Sequence, residues 1–174
     1  MRVAILSDSH DHVWNLRAAM AALPGVADVI LHCGDLCAPF IVPMLAAAGR
    51  PVHVVFGNND ADRFRQQALA ARSGHVTLHG ESALLELGGK RFAMQHFDAL
   101  ARPLAESGRF DVVCYGHDHV RLAERVGACW LLNPGAIMGW RPGVGDVEAT
   151  FLIYDTETDA PVWWRVSGGK AAAE

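Results

Sequence analysis

Closely spaced cysteine pairs and long apolar runs are both missing from this sequence. The four cysteines include Cys33 and Cys37, four positions apart, but no CxxC pair and no second half for a zinc site. We expect all four to be reduced core residues of a cytoplasmic protein. No apolar run approaches the roughly 18 residues of a membrane helix. The apolar run at the N-terminus is too short for a signal peptide.

A concentrated positive charge is also missing. The formal net charge is -4, and the 15 lysine and arginine residues are scattered along the chain. Strong nucleic-acid binding is therefore not expected. The chain has 174 residues, of which 51% are hydrophobic, and shows no repeat or linker. These features predict one domain over residues 1–167, followed by a frayed tail at 168–174.

Apolar runs and helical patterns alternate in the first part of the chain. Near-continuous apolar runs at 2–6, 28–32, 52–56 and 111–115 predict strands buried on both faces. Helical patterns cover residues 12–23, 39–48, 61–72 and 99–107. The β-α-β-α-β order predicts parallel strands. Short runs between 75 and 96, separated by glycines, predict antiparallel strands, and four further strands follow residue 120.

Polar side chains follow these strands where each one ends. Because ligands of parallel α/β sheets bind outside the carboxyl ends of the strands, we expect these side chains to converge. Buried carboxylates and imidazoles are costly unless paired or bound to a cation. A mixed nitrogen and oxygen donor set suits manganese, iron, zinc, nickel or cobalt, and seven donors suit two ions. The candidate metal ligands are Asp8, His10, Asp35, Asn58, His96, His117 and His119.

Each of these motifs is a weak predictor by itself. Asp8 and His10 could belong to a capped turn, and the Gly-Asp pair after the second strand is common in βα turns. Asn58 could merely tolerate a left-handed backbone. His117 and His119 are more specific, because alternate residues of an extended segment share a face.

In this order, the motifs resemble those of the calcineurin-like metallophosphoesterases, and in particular the small phosphodiesterases of the YfcE type. The resemblance rests on "SDSH", "HCGD", "GNND", "QH", "GHDH" and "NPGA" with the arginine that follows it. It implies a single-domain, four-layer α/β/β/α sandwich. The implied activity is hydrolysis of a small phosphodiester by a hydroxide bridging two divalent ions. Manganese is the first choice of metal, and nickel, iron, zinc and cobalt are alternatives. A homodimer is compatible with the family.

The resemblance also divides the ligands between the ions and assigns other roles. One ion takes Asp8, His10 and His119, the other takes Asn58, His96 and His117, and Asp35 bridges both. Asp35, Asn58 and His96 form the implied catalytic set, and Asn59, Phe97 and Arg141 the implied substrate-binding set.

Two positions depart from the family pattern. Asn59 stands where many members have a histidine that protonates the leaving group, and an amide cannot do so. Phe97 stands where the family has glycine, so we expect either a strained turn at Phe97 or an apolar wall of the pocket. Asp60 is predicted to cap the following helix, and Asp118 to face away from its histidine neighbours.

Two other functions stay open. A noncatalytic scaffold could use the same fold, as a retromer subunit does, although all seven donor positions keep donor side chains here. A nucleotide or nucleic-acid phosphohydrolase would use the same chemistry on another substrate.

Overall fold

A computed structural model describes residues 1–174 and contains four helices and fourteen strands. The helices are α1 (Val13–Ala22), α2 (Ile41–Ala46), α3 (Arg63–Ser73) and α4 (Asp98–Glu106). The first seven strands are β1 (Arg2–Leu6), β2 (Val29–His32), β3 (Val52–Val54), β4 (Val76–Leu78), β5 (Ser82–Leu87), β6 (Lys90–Gln95) and β7 (Val112–Cys114). The others are β8 (Arg121–Val126), β9 (Cys129–Pro134), β10 (Trp140–Arg141), β11 (Gly145–Asp146), β12 (Ala149–Asp155), β13 (Ala160–Ser167) and β14 (Lys170–Ala173).

The first sheet has seven strands in the order β14-β13-β12-β1-β2-β3-β4. Strands β1 to β4 are parallel, and helices α1, α2 and α3 connect them in turn. Strands β12 to β14 extend the sheet beyond β1 in antiparallel register. The parallel half of this sheet therefore carries three strand-to-helix loops on the same edge.

The second sheet has five strands in the order β5-β6-β7-β9-β8. Its three central strands, β6, β7 and β9, are parallel, and β5 and β8 flank them in antiparallel register. Helix α4 connects β6 to β7. The carboxyl ends of β6 and β7 therefore also share an edge of the sheet.

Three apolar layers separate four structural layers. A cluster of 22 buried residues packs the first sheet against α1, α2 and α3, and one of 14 residues lies between the two sheets. A third cluster of seven residues packs the second sheet against α4. Within β1, Ala4 and Leu6 join the first cluster, whereas Val3 and Ile5 join the second. The predicted α/β/β/α sandwich and the strands buried on both faces are confirmed.

Two parts of the chain differ from the predictions. Strand β4 pairs parallel with β3, because α3 carries the chain back across the sheet before it. The tail is not frayed, since Lys170–Ala173 forms β14 and pairs with β13. The side chain of Glu174 then contacts Arg121 and Arg165. Alanines have little strand propensity of their own, so these distant partners order the tail.

The cysteines agree with the predictions in part. All four are free, and three of them are buried, whereas Cys37 is only partly buried and is not a core residue. None of the four helices is long and apolar enough to cross a lipid bilayer.

Candidate metal centre

Loops after five strands bring all seven predicted donors together. Asp8 and His10 follow β1, Asp35 follows β2, and Asn58 follows β3. His96 follows β6 in the second sheet, and His117 and His119 follow β7. The two sheets thus meet at one edge, as the ends of parallel strands in a sandwich allow.

Asp8 is the centre of the first group of donors. The Nε2 atom of His119 lies 3.3 Å from Asp8 Oδ1, and Nε2 of His10 lies 3.7 Å from the same oxygen. The ligand atoms of these three residues all lie within 4.8 Å of one another. This spacing would allow one cation to contact all three.

Asp35 connects the first group to the second. Its Oδ2 atom lies 3.4 Å from Nε2 of His10 and 3.4 Å from Nε2 of His96. Ligand atoms of Asp8, Asp35 and His96 form a further set within 4.8 Å. One carboxylate therefore faces both groups of donors.

Asn58 completes the second group. Its Oδ1 atom lies 3.1 Å from Nε2 of His96 and 3.0 Å from Nδ1 of His117. The amide oxygen is therefore directed at the two histidines that the sequence predicts as its partners.

Five of the seven donors have a left-handed backbone, with φ from 39° to 74°. They are Asp8, His10, Asp35, His117 and His119. Aspartate and histidine tolerate this conformation better than most residues, but the strain has to be held by the surroundings. His117 and His119 thus reach the same edge of the sheet from a left-handed turn. Their shared side was predicted from the alternation of side chains along an extended strand, and that reason was wrong because the segment is not extended.

Backbone carbonyls fix the tautomers of two of the histidines. Nδ1 of His96 lies 2.8 Å from the carbonyl oxygen of Cys33, and Nδ1 of His119 lies 2.6 Å from that of Trp140. Because a carbonyl only accepts hydrogen bonds, both Nδ1 atoms donate. Each neutral ring would then direct the lone pair of Nε2 at a carboxylate. A cation between nitrogen and oxygen removes this repulsion, as in many metal sites.

The pKa shifts have the same physical origin. Burial lowers the pKa of both His96 and His119, but the negative charges of the adjacent Asp35 and Asp8 together outweigh it and raise each pKa overall. Burial raises the pKa of Asp8, yet His10 and His119 hold it well below its usual range. The carboxylates are therefore ionised, and the site strongly favours positive charge.

Two buried polar atoms in the centre have no hydrogen-bond partner, namely Asp8 Oδ1 and His10 Nε2. Asp8 is fully buried, with 0% of its surface exposed. An ionised oxygen left unpartnered in such a place is costly, and a divalent cation is the group that removes the cost. The residues present therefore fit a metal ion, and the mixed nitrogen and oxygen donors suit a transition metal.

Asp60 supports the Asp35 loop and does not cap a helix. Its carboxylate accepts hydrogen bonds from the backbone N–H groups of Asp35, Leu36, Cys37 and Gly57, at 2.7 to 3.0 Å. Asp62 caps α3 in its place, accepting from the N–H of Arg65 at 3.1 Å. The predicted cap was wrong because Asp60 is buried between the loops after β2 and β3.

The amide of Asn59 binds Asp35. Its backbone N–H donates to Oδ1 of Asp35 at 2.8 Å, and its side-chain Nδ2 donates to Oδ2 at 2.7 Å. These bonds fix the plane of the carboxylate. Glycine at position 57 is needed nearby, because a Cβ atom there would lie 2.2 Å from Asp35 Oδ1.

The loop of the two histidines is anchored from behind. Asn133, in the "NPGA" stretch, donates through Nδ2 to the carbonyl oxygen of Gly116 at 3.1 Å and to Oδ1 of Asp118 at 2.6 Å. Asp118 therefore faces away from the donors, as predicted. A Cβ atom on Gly116 would lie 1.9 Å from Ser7 Oγ, so the strand ends approach closely here. This supporting role of Asn133 was not predicted from the sequence.

Phe97 has an ordinary backbone. With φ at -86° and ψ at 133°, it is extended and unstrained. Its ring lies edge to face with the rings of His96 and His117, with centroids 5.1 and 5.0 Å apart. The expected strained turn was wrong, and the alternative of an apolar wall agrees with these contacts.

Arg141 is less closely connected to the centre. Its backbone pairs with Gly145 in the β10-β11 ribbon, and its side chain forms no hydrogen bond or ion pair. Its predicted role in substrate binding stays a prediction.

Comparisons with known proteins identify chains of similar sequence and similar fold. Phosphodiesterase MJ0936 of Methanocaldococcus jannaschii is 28% identical over 160 residues, which cover 90% of this chain and 94% of that protein. An archaeal phosphodiesterase structure matches with a TM-score of 0.86 and 27% identity, covering 95% of this chain and all of the other. The Zn²⁺ complex of Vps29 from Entamoeba histolytica matches with a TM-score of 0.73 and 21% identity, covering 100% and 97% of the two chains. The last comparison supports the fold alone.

A family model described as the calcineurin-like phosphoesterase superfamily domain matches residues 1–159. This range contains all seven donors and the loops that hold them. The chain belongs to the calcineurin-like phosphoesterase superfamily.

Proposed function

We propose that this protein hydrolyses small phosphodiesters with the help of two divalent cations bound at the candidate metal centre. The observation that carries the proposal is the position of Asp35. One of its oxygens lies 3.4 Å from a histidine nitrogen on each side, His10 and His96. A carboxylate placed in this way is suited to contact two cations at once.

The donors divide into two sets around Asp35. Asp8, His10 and His119 would hold one ion, and Asn58, His96 and His117 the other. When bound, the two ions would supply an ionised water as nucleophile and offset the charge of the phosphoryl oxygens. We propose manganese first, with nickel, iron, zinc and cobalt as alternatives that the same donors accept.

The protein itself contributes orientation. The carbonyl oxygens of Cys33 and Trp140 hold the rings of His96 and His119, so that both Nε2 atoms face the carboxylates. Asn59 holds the plane of Asp35. Such supporting contacts commonly change metal affinity or activity by about 10- to 100-fold.

The leaving group receives no proton from Asn59. An amide is not a general acid, and the backbone N–H and side-chain Nδ2 of Asn59 both donate to Asp35. We therefore propose a preference for phosphodiesters with good leaving groups, which depart without protonation. The M. jannaschii relative, named a phosphodiesterase, supports the same class of substrate.

The proposal is tested with bis(p-nitrophenyl) phosphate. The purified chain, loaded with Mn²⁺ or Ni²⁺, should release p-nitrophenolate from this substrate. Mass spectrometry of the metal content should show two ions per chain. Asp35→Ala and His117→Ala should lower the rate by about a thousandfold or more, since each removes a group that positions charge at the reacting phosphorus. His75→Ala is the matched control, because His75 is exposed and directly precedes β4, at the end of the sheet opposite the metal centre.

Other outcomes would select the other functions. Full metal loading without hydrolysis of any phosphodiester would favour a noncatalytic scaffold with the fold that Vps29 shares. Hydrolysis restricted to nucleotides or nucleic acids would favour that narrower class, although the formal net charge of -4 gives no basic surface for a polyanion. A homodimer and a cytoplasmic location stay predictions.

A further inference from the structure

Phe97 places an exposed apolar ring against the second group of donors. The ring centroid lies 5.0 Å from that of His117 and 5.1 Å from that of His96, both edge to face. Yet 36% of Phe97 is exposed to solvent. The ring therefore packs against these histidines and keeps part of its apolar surface open beside the donors.

The backbone of Phe97 is fixed by a buried amide. The N–H of Phe97 donates to Oε1 of Gln95 at 2.7 Å, and Nε2 of Gln95 donates to the carbonyl oxygen of Phe97. Gln95 is only 3% exposed. Helix α4 begins at the next residue, Asp98, and holds the other side. Phe97 is therefore held in place before any ligand arrives, so little conformational entropy is lost when a ligand packs on it.

The other exposed aromatic residues lack these contacts. Phe64, for example, is 87% exposed and forms no aromatic contact with a histidine of the centre. Phe97 alone combines a fixed backbone, an open ring surface and direct contact with two of the seven donors.

We propose that Phe97 is a specificity-determining wall that selects phosphate esters carrying a flat aromatic group, such as an aryl ring or a nucleobase. The inference rests on the proposed function, since it requires the phosphoryl group to bind at the donors. A phosphoryl group bound at the second group of donors would lie beside the Phe97 ring, which one of its ester substituents could then reach. An aromatic substituent gains from offset or edge-to-face packing on that ring, whereas a methyl group offers little area.

The test is a binding measurement that needs no turnover. Phenylphosphonate, cyclohexylphosphonate and methylphosphonate are titrated calorimetrically into the Mn²⁺-loaded full chain. The wild-type protein should bind phenylphosphonate about tenfold more tightly than methylphosphonate. Cyclohexylphosphonate, which is apolar but not flat, should fall between them. In Phe97→Ala, the preference for phenyl over methyl should shrink to about twofold or less, and Phe97→Tyr should restore it.

Control variants and ligands distinguish a failure of this inference from a failure of the proposed function. Phe64→Ala removes an exposed aromatic ring outside the centre and should keep the tenfold preference. A preference that survives in Phe97→Ala, or an equal loss of both ligands, overturns the inference, because the ring would then only support the histidines. Equal binding of all three phosphonates by the wild type also overturns it and leaves the proposed function intact. If none of them binds, the phosphoryl site itself fails, and the inference fails with it.

Discussion

Two clusters of charged side chains on this protein differ in how their charges are satisfied. In the metal centre, two carboxylates lie among imidazoles, and Asp8 Oδ1 is buried without a hydrogen-bond partner. On the surface, two arginines and two glutamates form a closed set of ion pairs at 2.6 to 3.2 Å. This C-terminal ion-pair network consists of Arg121, Glu148, Arg165 and Glu174.

This difference in charge balance indicates which of the two clusters binds a ligand. The C-terminal ion-pair network balances its own charge and stays partly exposed, so it needs nothing more. The metal centre has buried polar atoms without a hydrogen-bond partner, which an added cation would satisfy, on a backbone with five left-handed residues. Strain and unsatisfied polar atoms persist at functional sites because the surrounding fold stabilises them.

Removing the support of the metal centre should have the largest effect in this comparison. In Asp60→Ala, four backbone N–H groups in the loops after β2 and β3 lose their acceptor. We expect a loss of about 3–5 kcal/mol in the free energy of unfolding and roughly 10- to 100-fold weaker metal binding. Urea denaturation of the metal-free protein and calorimetric Mn²⁺ titration measure the two effects.

Asp62→Ala is the control for that experiment. It removes the cap of α3 two residues away and should cost only about 1 kcal/mol of stability. Metal affinity should stay within about twofold of the wild-type value, because Asp62 does not contact the loops that hold the donors. Equal effects of the two substitutions on metal binding would show that Asp60 has no special connection to the centre.

A pH titration should give an intermediate effect through His32, which lies behind the centre. Nε2 of His32 contacts Ser9 Oγ at 3.2 Å, and Nδ1 accepts from the N–H of Gly34 at 3.3 Å. Burial lowers the pKa of His32 to about 4, more than the nearby carboxylates raise it. His32 is protonated below about pH 6.5 in the unfolded chain, but only near pH 4 in the folded protein. The contribution of neutral His32 to the free energy of unfolding is therefore complete above pH 6.5. It is lost progressively as the pH falls toward 4.

The expected loss is roughly 1–3 kcal/mol between pH 6.5 and 4.5 for the metal-free protein. The raised pKa values of His96 and His119 change the stability mainly above pH 6.5, where it falls as the pH rises, so they add little over this range. His53 and His79 have lowered pKa values and contribute in the same direction, so the effect of His32 is read from a variant. His32→Gln should show a clearly shallower dependence of urea midpoint on pH; an unchanged slope would contradict the assignment.

The smallest effect is expected in the C-terminal ion-pair network. Glu174→Gln weakens two ion pairs, with Arg121 and Arg165, that are partly exposed. Pairs of this kind contribute at most about 1 kcal/mol, and salt screens them. The urea midpoint should therefore fall slightly at low salt. It should change little at 1 M salt, where the Debye length is about 3 Å and the ion pairs are screened. Mn²⁺ affinity should not change. A large loss of metal binding would break the distinction between the two clusters.

Local patterns predicted most of the framework. The apolar runs of β1, β2, β3 and β7 are recognisable because strands between two layers are buried on both faces. The helices were found within about two residues of their ends, as helical periodicity allows. Trp163 and Trp164 contact different apolar layers, as expected for neighbours in a strand.

Patterns failed where distant residues decide the structure. Strand β4 is parallel because it pairs with β3, and β14 exists because β13 accepts it. Asp60 has the residue type and the position of a helix cap. The loops after β2 and β3 instead direct four backbone N–H groups at its carboxylate. A strained turn was one of two alternatives for Phe97, and it is wrong because Gln95 and α4 hold an extended backbone there.

The residues alone show which donors are available and which strand each one follows. The family resemblance rests on these motifs, and it implied the two sheets and the order of the layers that the structure has. The folded structure was needed to show that Asp35 lies equally close to His10 and His96, and that Asp8 has a buried oxygen without a hydrogen-bond partner. These features depend on the packing of loops far apart in the sequence, such as those of Asp8 and His117, which are 109 residues apart. Local propensity carries no information about that packing.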